Sequence, residues 1–231
     1  MKKVTLGKIL YETETGYDQM ADKFSGTRSF FWRDLEFIKN HIENNNKILD
    51  FGCGNGRLLE ILKDKKVTYY GVDVSQKLVG LAKNKYPEFA ANISKISGQA
   101  KLDFPDNFFD ATVAVAVFHH FPDQDFRLAM ARELYRVTKP DGKIIVTGWN
   151  LWQKKYRKYI WKNIALKIIG RSHLDFLDCQ IPFKNNAGEI FTRFHHAYTE
   201  HQLAELFKQA GFQKITVRTI GNKNLVLTGN K

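Results

Sequence analysis

The sequence has two cysteines in 231 residues. That is too few for a disulfide framework, and their spacing is not that of a metal site. Cys53 lies in a glycine-rich turn and Cys179 stands alone. Both are expected to be reduced thiols of a cytoplasmic protein. No apolar run approaches the roughly 20 residues that cross a bilayer. The first residues, Met1 to Lys8, are basic but lack the apolar stretch of a secretory signal. Internal repeats and low-complexity linkers are missing too. Acids become scarce toward the end. Residues 1–150 carry 22 Lys/Arg against 19 Asp/Glu, whereas residues 151–231 carry 14 against 5. Most of the net charge of +12 therefore sits in the last third. That imbalance points to an anionic partner for this part, either a nucleic acid or an anionic membrane surface.

What is present begins with Lys47-Ile48-Leu49-Asp50-Phe51-Gly52-Cys53-Gly54-Asn55-Gly56-Arg57. An apolar run ends in an acid, and three glycines follow at alternate positions. Leu58, Leu59, Ile61 and Leu62 then suggest a helix. The pattern predicts strand, tight turn and helix start, with glycines letting a ligand approach the backbone. A dinucleotide fold spaces its third glycine differently. A second strand, Val67–Asp73, also ends in an acid, about twenty residues on, where an acid can accept ribose hydroxyls. Further strands are expected near 93–96, over Ala111–Val117 and over Lys143–Thr147. Helices are expected over Gln76–Asn84 and Gln124–Val137, with a turn at Lys139-Pro140-Asp141-Gly142. This alternation predicts an α/β, doubly wound parallel sheet whose ligand sits at the carboxyl ends of the strands. Asp50, Asp73, Gln99 and His119 fall at such ends.

Before this core, Tyr17, Met20, Ala21 and Phe24 recur at helical spacing, and a second helix is expected from Phe31 to His41. After it, Leu151–Gly170 is expected to be one long helix. Lys154, Lys155, Arg157, Lys158, Lys162, Lys167 and Arg171 are interleaved with aromatics there, and no acid occurs before Asp175. A loop is expected at Asn185-Asn186-Ala187-Gly188. Thr199 and Gln202 have the spacing of a capping box. Lys214–Thr219 and Leu225–Leu227 should form a terminal hairpin around Gly221-Asn222.

The ordered features (the Asp50 glycine turn, Asp73, Gly98-Gln99-Ala100, the Asp110–Val117 strand and Lys139-Pro140-Asp141-Gly142) together resemble class I S-adenosylmethionine-dependent methyltransferases over residues 47–147. The resemblance implies a Rossmann-like, seven-stranded sheet with an antiparallel last strand, S-adenosylmethionine as cofactor, and a single domain over 1–231. Within it, residues 17–46 would be lid helices and 47–147 the cofactor core. Residues 148–192 would be a basic helical insertion, and 193–231 a C-terminal helix and hairpin. A narrower similarity is to the tRNA wobble-uridine carboxymethyl methyltransferases. It rests on Phe24-Ser25 with Thr27-Arg28 and Trp32, on the strand end Ala114 to His120, and on Arg193-Phe194-His195-His196. Here Arg33 follows Trp32 where that family has proline, and His195 replaces an aromatic.

The resemblance implies a cofactor site of Tyr17, Arg28, Asp50, Gly52, Cys53, Gly54, Asp73, Val74, Gln99, Ala100 and Val115. Gly52 and Gly54 would hold the methionine part beside Asp50, Asp73 the ribose, and Gln99 and Ala100 the adenine. A carboxylate acceptor is already ionised and needs no base, only a cation to orient it; Arg28, Arg193 and His196 are the candidates. A phenol, amine or ring nitrogen would need a base, for which His119 stands at a strand end. The catalytic candidates are thus His119, Arg193 and His196. Candidate substrate contacts are Arg28, Lys154, Lys155, Arg157, Lys158, Arg193, His195 and His196. The partner expected is tRNA, with a small activating subunit implied by the resemblance. A methyltransferase of quinone or lipid precursors docking on a membrane is the alternative. A protein that kept the pocket and lost the activity is a third reading, against which the complete glycine motif argues.

Overall fold

The computed structural model describes residues 3–27, 30–97, 101–184, 188 and 190–231. Arg28, Gly98, Gln99, Ala100 and the expected loop residues Asn185, Asn186 and Ala187 lie outside the described residues. The strands are β1 (Lys47–Phe51), β2 (Thr68–Asp73), β3 (Ile93–Lys95), β4 (Phe109–Val115), β5 (Thr138–Trp149), β6 (Asp178–Lys184), β7 (Ile190–His196), β8 (Gln213–Ile220) and β9 (Asn224–Asn230). The helices are α1 (Lys3–Thr27), α2 (Gln76–Lys85), α3 (Gln124–Val137), α4 (Arg157–Ile168) and α5 (Glu200–Gln209), with short 3-10 turns between some of them.

Seven strands form one sheet in the order β3-β2-β1-β4-β5-β9-β8. The first five pair in parallel, and β9 runs antiparallel to both β5 and β8. The chain order reverses beside β1, so the ends of β1, β2 and β4 open onto one crevice. Both faces of the sheet are covered. Leu49 and Phe51 pack toward α3 and α5, while Ile48 packs toward the 33–41 turn and α2. Local signals set the helix starts. Ser75 caps α2, the Asp123 carboxylate caps α3, and the Thr199–Gln202 capping box forms at α5.

The structure revises several boundaries. The segment 33–41 is a 3-10 helix, and so is the short piece 57–61 after the glycine turn. The expected Lys139–Gly142 turn is absorbed into β5 as a bulge, with Phe109 opposite Thr138 but Ala111 opposite Lys143. The basic helix is shorter than expected, because 151–156 are turns and only 157–168 are helical. The insertion also holds β6, which pairs antiparallel with β7 in a separate two-stranded sheet. Leu151, Ile160, Cys179, Ile181 and Ala197 give this insertion a small core of its own.

Candidate active site

At the end of β1 the chain turns through Gly52, Gly54 and Gly56, all with positive φ. A Cβ on Gly52 would meet Val117 Cγ2 at 2.3 Å, so only glycine fits there. The turn is fixed from below, since the Gly52 and Cys53 amides donate to the Val72 carbonyl at 2.8 and 3.0 Å. It is also fixed by Asp73, whose carboxylate accepts from the Gly54 amide and the Ser75 amide, each at 2.8 Å. The Gly54 amide is therefore engaged by Asp73. Asp73 also lines the crevice.

A cavity opens above this turn. Its floor includes Asp50, Gly52, Cys53, Gly54, Asp73, Val74 and Val115, and Tyr17 and Phe24 of α1 lie along its edge. Eight expected cofactor contacts are thus brought together; Arg28, Gln99 and Ala100 lie outside the described residues. Burial pushes the Asp50 carboxyl up to about 7, with the Asp73 charge adding to it. The Tyr69 hydroxyl, donating to Asp50 at 2.7 Å, and the nearby Arg57 guanidinium act the other way. Burial likewise raises Asp73, against the pull of its amide donors. Burial, reinforced by both carboxylates, drives the Cys53 thiol well up, so it is an inert lining group.

The donor set fits S-adenosylmethionine. Gly52 and Gly56 leave no room for a side chain, Asp50 can meet an ammonium, and Asp73 can accept hydroxyls. Residues 49–146 match the model of a methyltransferase domain. The fold is that of the S-adenosylmethionine-dependent methyltransferases.

Similar proteins agree in kind. A Schizosaccharomyces pombe protein named tRNA (carboxymethyluridine(34)-5-O)-methyltransferase is 28% identical over 218 residues, covering 88% of this chain and 91% of the relative. An Arabidopsis thaliana protein of the same name is 31% identical over 133 residues, 58% of this chain. The match covers 31% of the Arabidopsis protein's length. Among solved structures, a SAM-dependent methyltransferase of Methanosarcina mazei superposes with a TM-score of 0.68 at 23% identity. It covers 87% of this chain and 98% of its own.

Across the cavity from the glycine turn, the protein presents a wall of rings. Beyond β4, Ala116 adopts φ +61, and the chain then makes a short turn at Phe118–His120. That turn sets His119 and His120 against the cavity. His120 is fully engaged. Its Nδ1 lies 3.0 Å from the Phe194 carbonyl, which can only accept, so Nδ1 carries the proton. Its Nε2 therefore accepts from the Tyr17 hydroxyl at 2.7 Å. Burial first, then the Arg193 charge, holds His120 down to about 3, which keeps it neutral. His119 is different: both of its ring nitrogens are buried without a hydrogen-bond partner. Its ring stacks on Trp149 at 5.6 Å and on His195 at 5.3 Å, the latter within 7° of parallel. Ligand atoms of His119, His120 and His195 lie within 4.8 Å of one another. A metal must lie in the plane of each imidazole it binds, and the two stacked, parallel rings do not share one. His119 and His120 form part of one wall of the cavity.

Arg193, on β7, also lines the cavity. Its guanidinium lies over Phe183 at 4.6 Å and Trp149 at 5.5 Å, and its buried Nε has no partner. His195 sits behind His119, and its Nδ1 donates to the Arg193 carbonyl at 3.0 Å. The structure corrects the placement of one catalytic candidate and leaves four basic residues apart from the cavity. His196 does not line the cavity. It alternates to the other face of β7, where Nδ1 meets Asp178 at 2.7 Å beside Arg127. Lys154, Lys155, Arg157 and Lys158 are exposed on the 151–156 turns and the start of α4, and none of them lines the cavity. Arg57 and Trp149 are among the lining residues that escaped sequence reasoning. Arg57 is buried with its guanidinium 3.5 Å from the Trp32 ring centroid, a pairing that distant positions do not advertise. Trp149 ends β5, so the strand-end rule that picked out His119 could have found it too.

Proposed function

We propose that this methyltransferase transfers the methyl group of S-adenosylmethionine to a carboxylate oxygen of a carboxymethyl-modified wobble uridine in tRNA. The observation that carries the reading is the pair of unsatisfied buried groups facing the cavity, the Arg193 Nε and the His119 ring nitrogens. Buried polar atoms without partners are costly and mark a place for a ligand. A guanidinium beside a neutral imidazole donor suits an anionic oxygen acceptor. The name of the Schizosaccharomyces pombe relative supports the same acceptor.

The cofactor supplies an activated methyl group on a sulfonium. Asp73 would accept from its ribose, Asp50 would sit beside its ammonium, and Arg57 is placed to meet its carboxylate. The rest is positioning. A carboxylate is ionised at neutral pH, so no base has to remove a proton. Burial drives both His119 and His195 well below the ordinary histidine range. His119 can therefore donate one N–H to the acceptor without titrating, while Arg193 fixes its orientation. Alignment at roughly 3 Å is then the main requirement. Tyr17 and Phe24 of α1 cover the cavity edge and exclude water.

The membrane alternative has less support, because the unsatisfied groups suit an anion held inside the protein. The test is to incubate the protein with labelled S-adenosylmethionine and either bulk tRNA or a lipid extract. Label entering tRNA, released by mild alkali as an ester would be, supports the reading. Label entering only the lipid fraction overturns it.

A further inference from the structure

Arg193 faces two spaces. Besides the cofactor cavity, it lines a groove of about 880 Å³ on the outside of the molecule. Lys8, Glu12, Thr15 and Gln19 of α1 form one wall, and Tyr159, Lys162, Asn163 and Leu166 of α4 form the other. Between them lie residues of β6 and β7, including Phe191 and Thr192, and residues 171–174 close one end. This end is built rather than loose. Asn163 donates to the Asp175 carbonyl at 2.7 Å and accepts from the Ser172 hydroxyl at 2.5 Å, and Lys167 donates to the Leu174 carbonyl at 2.6 Å. The charge is one-sided. Lys8, Lys162, Arg171 and Arg193 line the groove against Glu12, which is itself paired with Lys8 at 3.7 Å.

We propose that this groove holds the single-stranded nucleotides that flank the methylated residue, with Lys162 and Arg171 on their phosphates and Arg193 at the point where the target nucleotide turns inward. The assignment rests on the tRNA reading above. A base that must enter a cavity behind a protein wall has to be unpaired first, and proteins read RNA mostly in such unpaired loops. A groove that tracks a single strand combines cations for the backbone with rings for the bases. Here Tyr159 and Phe191 supply the rings. The continuity through Arg193 gives the strand a direction, leading from α4 toward the Gly52–Gly54 turn. The cations that dominate the sequence, Lys154, Lys155, Arg157 and Lys158, do not line this route. The assignment moves the RNA contact from the exposed turn before α4 to the face of α4 that looks at α1.

The test compares two double variants of the full chain, Lys162→Ala/Arg171→Ala and Lys154→Ala/Lys155→Ala, with wild type. Each is measured for S-adenosylmethionine affinity, methyl transfer to tRNA, and binding of an unmodified anticodon stem-loop RNA across a salt series. Loss of two single-strand phosphate contacts lowers the slope of log K against log salt by about 1.4. The expected result is that drop for the groove variant, with weaker RNA binding, a raised KM for tRNA and unchanged cofactor affinity. The turn variant should change the slope much less. Equal slope changes for the two variants, or none for the groove variant, overturn the groove assignment while wild-type methylation of tRNA keeps the functional reading. A wild-type protein that binds no RNA and labels only lipid overturns both. Cofactor affinity intact in the groove variant separates a lost contact from a lost fold.

Discussion

The Tyr17 hydroxyl donates to His120 Nε2 at 2.7 Å across 103 positions of sequence. This bond joins α1 to the turn that follows β4, at the edge of the cofactor cavity. It is one of several latches holding α1 in place. Asp18 accepts from the Ser75 hydroxyl at 2.6 Å, Glu14 meets Lys95 at 2.6 Å, and Lys23 reaches the Lys184 carbonyl at 2.6 Å. Replacing Tyr17 by Phe keeps the ring but leaves the buried His120 nitrogen without a donor. The cost should be about 1–2 kcal/mol, or roughly 2–8 °C in Tm for a chain of this size. A melting curve checks it. A Tm equal to wild type would mean that the latch adds nothing to the fold.

Asp50 gives the apo protein a pH dependence of definite sign. Its carboxyl rises from the ordinary 3.8 to about 7 on folding, chiefly through burial. Between those limits the folded state binds more protons than the unfolded chain. This group's contribution therefore makes stability fall as pH rises from about 4 to 7, and then level off. Cofactor binding should run the other way, because a bound ammonium favours the ionised carboxylate. Affinity for S-adenosylmethionine should increase as pH rises through 7, with proton release on binding near pH 6.5. Calorimetry in buffers of different ionisation enthalpy measures both. Asp50→Asn should flatten the profile, and a flat wild-type profile would remove Asp50 from the ammonium site.

The histidine on the far face of β7 separates structure from chemistry. His196 is held by Asp178 at 2.7 Å, with Arg127 at 3.9 Å from the same carboxylate oxygen. His196→Ala leaves a buried charged group short of a partner, at a cost of about 3 kcal/mol. Its kcat per folded molecule should stay within roughly twofold of wild type, since it removes no group that lines the cavity. Titrating the active fraction with cofactor while following heat denaturation tests both halves. A large loss of kcat with the fold intact would return His196 to the catalytic machinery.

The sequence displayed the cofactor half of the site far better than the substrate half, for a physical reason. Asp50, Gly52, Gly54 and Asp73 belong to short strand-turn units, so their roles follow from local pattern and strand ends. The sheet order also follows, because alternating strands and helices with right-handed crossovers leave few arrangements. Arg193, His119 and Trp149 meet only through tertiary packing. Arg193 was picked out by resemblance and His119 by its place at a strand end, whereas their stacking arrangement had no local signal. The error over His196 came from treating Arg193–His196 as one functional run. On a strand, neighbours point to opposite faces, so Arg193 and His195 share a face that His196 does not. The strand character of that segment was missed because its partner, β6, carries Pro182 in mid-strand, although Cys179, Ile181 and Phe183 alternate with exposed residues.

Arg193 is the residue on which the substrate reading turns. Its guanidinium is positioned by the Phe183 and Trp149 rings and carries an unsatisfied Nε. Arg193→Lys keeps a positive charge but loses the planar fork that can hold a carboxylate by two bonds. If the arginine orients a carboxylate acceptor, Arg193→Lys should lower kcat/KM for tRNA by about 10–100-fold, equivalent to about 1.4–2.7 kcal/mol of transition-state binding. Cofactor affinity should change little, because Asp50, Asp73 and the glycine turn are untouched. Single-turnover methyl transfer at saturating cofactor separates the two effects. A tRNA whose wobble side chain carries a neutral amide in place of the carboxylate should be a poor substrate for wild type and should show little further loss with Arg193→Lys. Equal losses on the acid and the amide would mean that Arg193 supports the fold or the RNA backbone, and not the carboxylate.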